Sequence, residues 1–201
     1  MKPEVQFEEI YNAYHERIAK YLSKFVGKYE AEDLVQEVFD KVNRSIGAFR
    51  GESNVSTWVY RIATNHALDK LRSPEYKNLS KNTISIEEKA DHQDTFLTDH
   101  IKPRVENDYI RKEMSECVRE YIDRLPTDYK TIIILSELED FSNREISDIL
   151  QVSLDTVKIR LHRARARLRK ELEKGCIFYN NEQGTIACDR KPLTIKPRQT
   201  P

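Results

Sequence analysis

The sequence predicts an all-α protein built as two small helical domains joined by a flexible linker. Apolar residues recur at three- and four-residue spacing through most of the 201 positions. No run of alternating Val, Ile and Thr is long enough for a sheet protein, and glycine is scarce, with five residues. An apolar content of 38% beside a charged content of 34% suits small helical domains with much solvated surface. Between residues 73 and 104 the pattern dissolves into a polar, proline-bounded stretch that divides the chain.

The elements follow in order. Phe7, Ile10, Tyr11, Tyr14, Ile18, Tyr21, Leu22 and Phe25 form the stripe of a first helix that ends near Gly27. A second helix is expected from Ala31 to Ser45, with Leu34, Val35, Val38 and Val42 on its apolar side. A third runs from Ser56 to Leu71 with Trp58, Ile62 and Leu68, and Ser73-Pro74 stops it. In the linker, Ile84, Ile86, Phe96 and Leu97 are too few for a core. Periodicity returns at Val105, with one helix to Arg124, another from Thr127 to Leu138, and two more to Lys174. The expected domains are therefore 1–72 and 105–174, with 73–104 as linker and 175–201 as a tail.

The chain is neutral, with 34 basic and 34 acidic residues, yet its charge is segregated. Residues 1–72 carry eleven of each sign, residues 105–155 six basic and thirteen acidic, and residues 156–174 eight basic and two acidic. Only such local fields act, because screening limits their reach to a Debye length of about 8–10 Å. Upstream of the basic stretch, Ser142 and Glu145 form a capping box that starts a short helix at Asn143, with Ile146, Ile149 and Leu150 as its apolar face. Gln151, Val152 and Ser153 make a tight turn, and Ser153 caps a second helix whose first turn holds Asp155. On that helix Val157, Leu161, Ala164, Leu168 and Leu172 form an apolar stripe opposite the basic side chains. Two helices, a short turn and a basic outer face describe a helix-turn-helix that places its second helix in the DNA major groove. A solvated basic helix is the plain alternative.

Two stretches of the first domain stand out. In "AEDLVQEVFDKV", Asp33, Gln36, Glu37 and Asp40 lie at i, i+3, i+4 and i+7, one mostly acidic face opposite the apolar one. In "FRGESNVSTWVYRIATNHALDKLR", Phe49, Trp58 and Tyr60 mix with Arg50 and Arg61, and Asn65 follows. Aromatics interleaved with arginines suit unstacked bases, which stack on rings while cations hold phosphates. Taken alone, the acidic face is also readable as solvated surface, Trp58 as core, and Asn65 and His162 as ordinary surface groups.

These stretches resemble the bacterial RNA polymerase sigma factors of the extracytoplasmic-function (group IV) family. "DLVQEVF" is similar to the family's D-x-x-Q-E-x-F, and "FRGESNVSTWVYRIATN" to F-R-G-[DE]-S-x-x-x-T-W-L-Y-R-I-A-x-N, both of region 2. "LPTDYKTIIILSELEDFSNREISDIL" with "TVKIRLHRARARL" is similar to region 4. The resemblance covers about 1–72 and 105–174. It implies that Asp33, Gln36, Glu37 and Asp40 dock on core RNA polymerase. It implies that Phe49, Arg50 and Gly51 begin the loop that captures a flipped base of the −10 promoter element, with Trp58, Arg61 and Asn65 beside it. It implies that Thr156, Lys158, Arg160, His162 and Arg163 meet the −35 element. An inhibitory anti-sigma factor is a common partner in the family, although no residue here identifies one. The chain departs from the pattern at Asp140 and Gln151, where Gly is frequent, and at Ser147, where Ala is. Val59 replaces a common Leu, and Ile159 stands where a small Ser or Thr is usual, which puts the −35 preference in doubt.

The two promoter elements lie roughly two helical turns apart, ~70 Å at ~34–36 Å per turn. The 32-residue linker spans up to ~100 Å when extended at ~3.3 Å per residue. Its random-coil size is only ~30 Å, so polymerase must stretch or guide it.

Other classes find little support. The histidines, His15, His66, His92, His100 and His162, form no HExxH, and no glycine-rich phosphate loop occurs, so no catalysis, cofactor or small-molecule substrate is expected. No stretch of about 18 apolar residues exists and "MKPEVQFEEI" lacks an apolar signal core, so a cytoplasmic protein without membrane insertion is expected. Cys117, Cys176 and Cys188 are an odd count without a CxxC pair, which reads as free thiols. Cys176 and Cys188 lie twelve residues apart with no nearby His to complete a zinc site, so no metal is expected. In the tail, "IFY" and "TIACD" are candidate strands around "NNEQG", and the Pro-rich end reads as disordered. This tail weakly resembles the C-terminal extension of sigma-Z-like members of the family. The rival readings are a conventional helix-turn-helix regulator and a helical adaptor without initiation activity.

Overall fold

The computed structural model describes residues 6–49, 51, 53–77, 117–180 and 186–191. Most of the expected linker, the start of the helix expected at Val105, the hairpin turn and the Pro-rich end lie outside the described residues. By contacts the described residues fall into two compact units. One joins the residues up to 77 with Asp140–Val157, and the other joins 117–139 with the residues from Lys158 onward.

In the first unit, α1 (Phe7–Val26) buries Ile10, Ile18, Tyr21, Leu22, Phe25 and Val26 along one stripe. Gly27 then turns the chain within a single residue, at φ 84° and ψ 170°, a region that only glycine enters at low cost. This tight reversal lets α2 (Lys28–Ser45) begin three residues before the expected start. α2 buries Ala31, Leu34, Val35, Val38, Phe39 and Val42, and a 3-10 turn at Ile46–Ala48 ends the segment. α3 (Val55–Arg72) buries Thr57, Trp58, Val59, Tyr60, Ala63, Thr64 and Ala67, a wider arc than one partner helix would cover. The reason is that α3 packs on α1, on α2 and on a helix from much later in the chain, α6 (Asn143–Leu150). Rings mark that seam: Tyr21 lies 5.1 Å from Phe25 and 4.9 Å from Tyr60, and Tyr60 lies 4.7 Å from Phe141, edge to face. Such a pair adds about 0.5–1.5 kcal/mol beyond area burial. The buried Tyr21 hydroxyl is satisfied by Thr64 Oγ1 at 2.7 Å. After Ser73 the chain resumes a helical turn at 74–77, where an uninterrupted linker was expected, and the Ser73 hydroxyl accepts from the Tyr76 N–H at 3.2 Å.

α6 starts as its capping box dictates. The Ser142 hydroxyl accepts from the Glu145 N–H while the Glu145 carboxylate accepts from the Ser142 N–H at 2.9 Å. Hydrogen bonds from the Ser142 hydroxyl and then its N–H hold the Glu145 carboxyl below its ordinary range. Gln151 follows at φ 53° and Asp140 precedes at φ 56°, both left-handed without being glycine.

In the second unit, the described helical stretch 117–123 (α4) leads to α5 (Thr127–Ile133), which widens into a π-turn over Ile134–Leu138. Thr131 to Leu135 are buried without a break. α7 (Leu154–Gly175) opens in the first unit, the boundary falling between Val157 and Lys158, and runs into β1 (Cys176–Asn180) with no intervening loop. β1 pairs antiparallel with β2 (Ile186–Arg190), the hairpin expected from the tail sequence. Gly175 lies close to Tyr121: a Cβ there would sit 1.7 Å from the hydroxyl at the end of that side chain, so a larger residue would have to displace the ring. Arg190 Nη2 on the hairpin meets Glu120 Oε1 on α4 at 2.6 Å, and the Lys191 N–H donates to the Gly175 carbonyl at 2.8 Å.

The left-handed residues set a stability test. An L-residue in this region costs about 1–2 kcal/mol, and glycine gives back about 0.5–1 kcal/mol of that through its looser unfolded chain. Gln151→Gly is expected to raise stability by up to about 1 kcal/mol, seen as a higher denaturant midpoint at unchanged slope. A lower midpoint would show that the bond from Gln151 Nε2 to the Asp148 carbonyl, 2.7 Å, outweighs the strain.

Candidate nucleic-acid interface

The turn and second helix of the helix-turn-helix are fixed by local bonds. Ser147 Oγ donates to the Val152 carbonyl at 2.7 Å, closing the turn. Ser153 Oγ accepts from the Thr156 N–H at 3.2 Å and lies 2.8 Å from Thr156 Oγ1, so Ser153 caps α7 as its sequence implies. Ser147, which stands where Ala is frequent, thus has a structural task of its own.

With the cap set, the stripe of α7 follows. Val157, Leu161 and Ala164 are buried, and Leu168 and Leu172 are half-buried. Away from this stripe Lys158, Ile159, His162, Arg163 and Ala166 are all exposed, with Ile159 and Ala166 nearly opposite it at 100° per residue. Thr156 and Arg160 lie on the flank and are half-buried. The cations divide by partner. Arg165 is held by Glu137 through Nε at 2.9 Å and Nη2 at 2.6 Å, Arg169 by Glu173 at 2.8 Å, and Arg160 comes within 3.9 Å of Asp128. Among the described residues, Lys158, Arg163, Arg167 and Lys170 have no acidic partner in ion-pair range. What looks in sequence like one uniform basic block is therefore divided into cations held by carboxylates and cations that are not. The sequence signal for Asp128 and Glu137 was hidden by their separation from the basic run. Ile159, 51% exposed, offers an apolar contact between the cations Lys158 and Arg163.

A second candidate surface lies on α2 and α3. Asp33, Gln36, Glu37 and Asp40 are all exposed on one side of α2. Glu37 Oε2 sits 3.5 Å from His66 Nδ1 of α3, and Asp40 3.9 Å from Arg44. Past the 3-10 turn, the Phe49 N–H donates to the Ile46 carbonyl at 3.0 Å, which fixes where the loop departs. Phe49 is half-buried, and its ring lies 5.0 Å from that of Trp58. Trp58 is only 7% exposed, so it supports Phe49 from beneath. Gly51 follows at φ 70°, and Arg50 lies outside the described residues. On α3, Arg61 is half-buried and Asn65, one turn on, is exposed. Asn54, which caps the approach to α3, contributes a hydrogen bond to the Glu145 carboxylate that no sequence spacing announces.

Comparison with known proteins meets the same two stretches. Residues 10–75 match the family model "Sigma-70 region 2", and residues 115–168 match "Sigma-70, region 4". The chain is 32% identical over 167 residues to the ECF RNA polymerase sigma factor SigW of Bacillus subtilis, covering 83% of this chain and 88% of that protein. It is 35% identical over 169 residues to the ECF RNA polymerase sigma-E factor of Haemophilus influenzae, covering 83% and 87%. Among solved structures, the fold is similar to that of the sigma factor RpoE of Bartonella quintana, solved with the anti-sigma factor NepR. That likeness has a TM-score of 0.59 at 22% identity and covers 83% of this chain and 96% of the other.

The division of cations gives a salt test. Each phosphate contact adds about one unit to the salt dependence of DNA binding. On duplex DNA across a salt series, Arg163→Ala is expected to lower the slope of log K against log salt by about one. Arg169→Ala, whose guanidinium is already held by Glu173, is expected to leave it unchanged. Equal effects of the two changes would contradict the assigned face.

Proposed function

The chain belongs to the extracytoplasmic-function family of RNA polymerase sigma factors, which direct promoter-specific transcription with RNA polymerase, and from that premise we propose which of its residues perform each step. Asp33, Gln36, Glu37 and Asp40 dock on core polymerase. Their exposure along one side of α2, with the opposite side buried, supports a role as a flat contact ridge. Phe49, Arg50 and Gly51, with Arg61 and Asn65, engage the −10 element as it opens. Thr156, Lys158, Arg160, His162 and Arg163 read the −35 element from the major groove. In this reading 1–72 docks and melts, 73–104 spans, 105–174 reads, and the tail 175–201 follows.

The observation that carries the proposal is the Phe49–Trp58 pair. A half-buried ring backed by a buried one, at the mouth of a loop that turns at Gly51, is a surface on which an unstacked base can rest. Base–aromatic stacking contributes about 1–3 kcal/mol per base. A repressor that reads intact duplex has no use for it. Arg61 and Asn65 beside it supply a cation and an amide for the adjoining strand.

Net positive charge concentrated on α7 fits a factor that acts through polymerase. Acidic surface elsewhere discourages indiscriminate binding to DNA and favours basic partner surfaces. The factor acts without catalysing a reaction itself, in the cytoplasm where polymerase and promoters meet. An anti-sigma factor that holds it inactive completes the proposal, supported by the relative solved with such a partner.

Phe49→Ala tests the assignment. The variant is expected to bind core polymerase as the parent does, while permanganate reactivity of unpaired thymines in the −10 element falls by about tenfold, from the lost stacking. Unchanged melting would remove Phe49 from that role.

A further inference from the structure

The sequence presents three cysteines without a pairing motif, but the fold gathers them. Cys117 lies on α4, Cys176 opens β1 and Cys188 lies in β2, and their sulfurs are all within 4.8 Å of one another. Cys117 and Cys176 are buried with their sulfurs 3.5 Å apart, and Cys188 is half-buried. The hairpin register explains half of this. Cys176 pairs with Arg190 and Phe178 with Cys188, so Cys176 and Cys188 are diagonal neighbours on one side of the ribbon. The Arg190–Glu120 ion pair and the Gly175–Tyr121 close approach then bring that side onto α4, where Cys117 waits.

We propose that Cys117, Cys176 and Cys188 form a trithiolate site for a thiophilic closed-shell metal ion of the zinc(II) class, with a fourth coordination position left to a small external ligand. Zinc–sulfur bonds of about 2.3 Å require sulfurs about 3.8 Å apart around a tetrahedral ion. The cluster spans that value, so small side-chain adjustments close it. Three thiolates on a divalent ion leave one net negative charge, and the Arg190 guanidinium, which also pairs with Glu120, stands beside the Cys117 sulfur and favours that charge. The Tyr121 hydroxyl lies beside the Cys176 sulfur, within its electrostatic reach. Donors of this kind around the ligands orient a metal site and tune its affinity. All-sulfur donors select soft ions over magnesium or calcium. Binding exchanges three thiol protons for the ion, with no change of oxidation state. A bound ion ties the segment ahead of α5 to the ribbon that continues the DNA-facing helix α7.

The test uses the full-length chain, reduced and freed of metal, titrated with zinc(II) against a chromophoric chelator and, separately, with cobalt(II). One ion per chain is expected, with the intense sulfur-to-cobalt charge-transfer absorption of a multi-thiolate site. Cys188→Ser, at a half-buried position that tolerates the change, is expected to weaken zinc binding by at least tenfold while circular dichroism stays the same. Arg190→Ala and Tyr121→Phe touch the sulfurs without ligating the ion, and each is expected to weaken it by about tenfold. The proposal is overturned if the chain, with three thiols titratable, takes up neither ion. It is also overturned if Cys188→Ser binds zinc as the parent does, or if air oxidises Cys117 and Cys176 to a disulfide as readily with zinc in excess as without it.

Discussion

Helix α3 is buried from three directions, and the first unit depends on that. A surface helix shows one apolar stripe, but α3 must satisfy α1, α2 and α6 together. Its buried positions run consecutively from Thr57 to Tyr60 and return at Ala63, Thr64 and Ala67. Small residues at 63 and 67 allow close approach, and Tyr60 bridges Tyr21 on one side to Phe141 on the other. What remains outside is a narrow strip bearing Arg61, Asn65 and Asp69. Arg61, half-buried, and Asn65, exposed, lie on the strip that three-sided packing leaves open. Trp58 belongs to the buried set and packs against the half-buried Phe49, which ties that ring to the core.

Charge is organised by a similar economy. The outward face of α7 keeps Lys158 and Arg163 unanswered by acid among the described residues, while Arg165 and Arg169 are occupied by Glu137 and Glu173. Exposed ion pairs of this kind contribute little stability, roughly 0–1 kcal/mol each. Their effect is on the distribution of charge, because they leave fewer cations of α7 unanswered. The chain is neutral overall, so the positive field is local to this helix.

Local rules made much of this legible in the sequence. The capping box at Ser142 and Glu145, the Ser153 cap, the stripe of α7 and the tail hairpin depend on residues a few positions apart, and each formed where its spacing said. The acidic ridge of α2 was legible for the same reason, since i, i+3, i+4 and i+7 must share a side. What escaped depended on distant residues. Cys117 is 59 residues from Cys176 and meets it only after the hairpin folds back. The packing of Phe141 on Tyr60 and the answering of Arg165 by Glu137 are likewise invisible to periodicity. The early start of α2 rested on the unusual conformation of Gly27, and the widening of α5 over Ile134–Leu138 occurs inside an apolar run that reads as ordinary helix.

The most direct measurement is transcription in vitro: the purified chain added to core RNA polymerase on a genomic template, with transcript ends mapped. The account predicts discrete start sites that appear only with the chain, preceded by shared −10 and −35 elements. Failure of the chain to bind core polymerase, or binding that yields no specific start site, would contradict it.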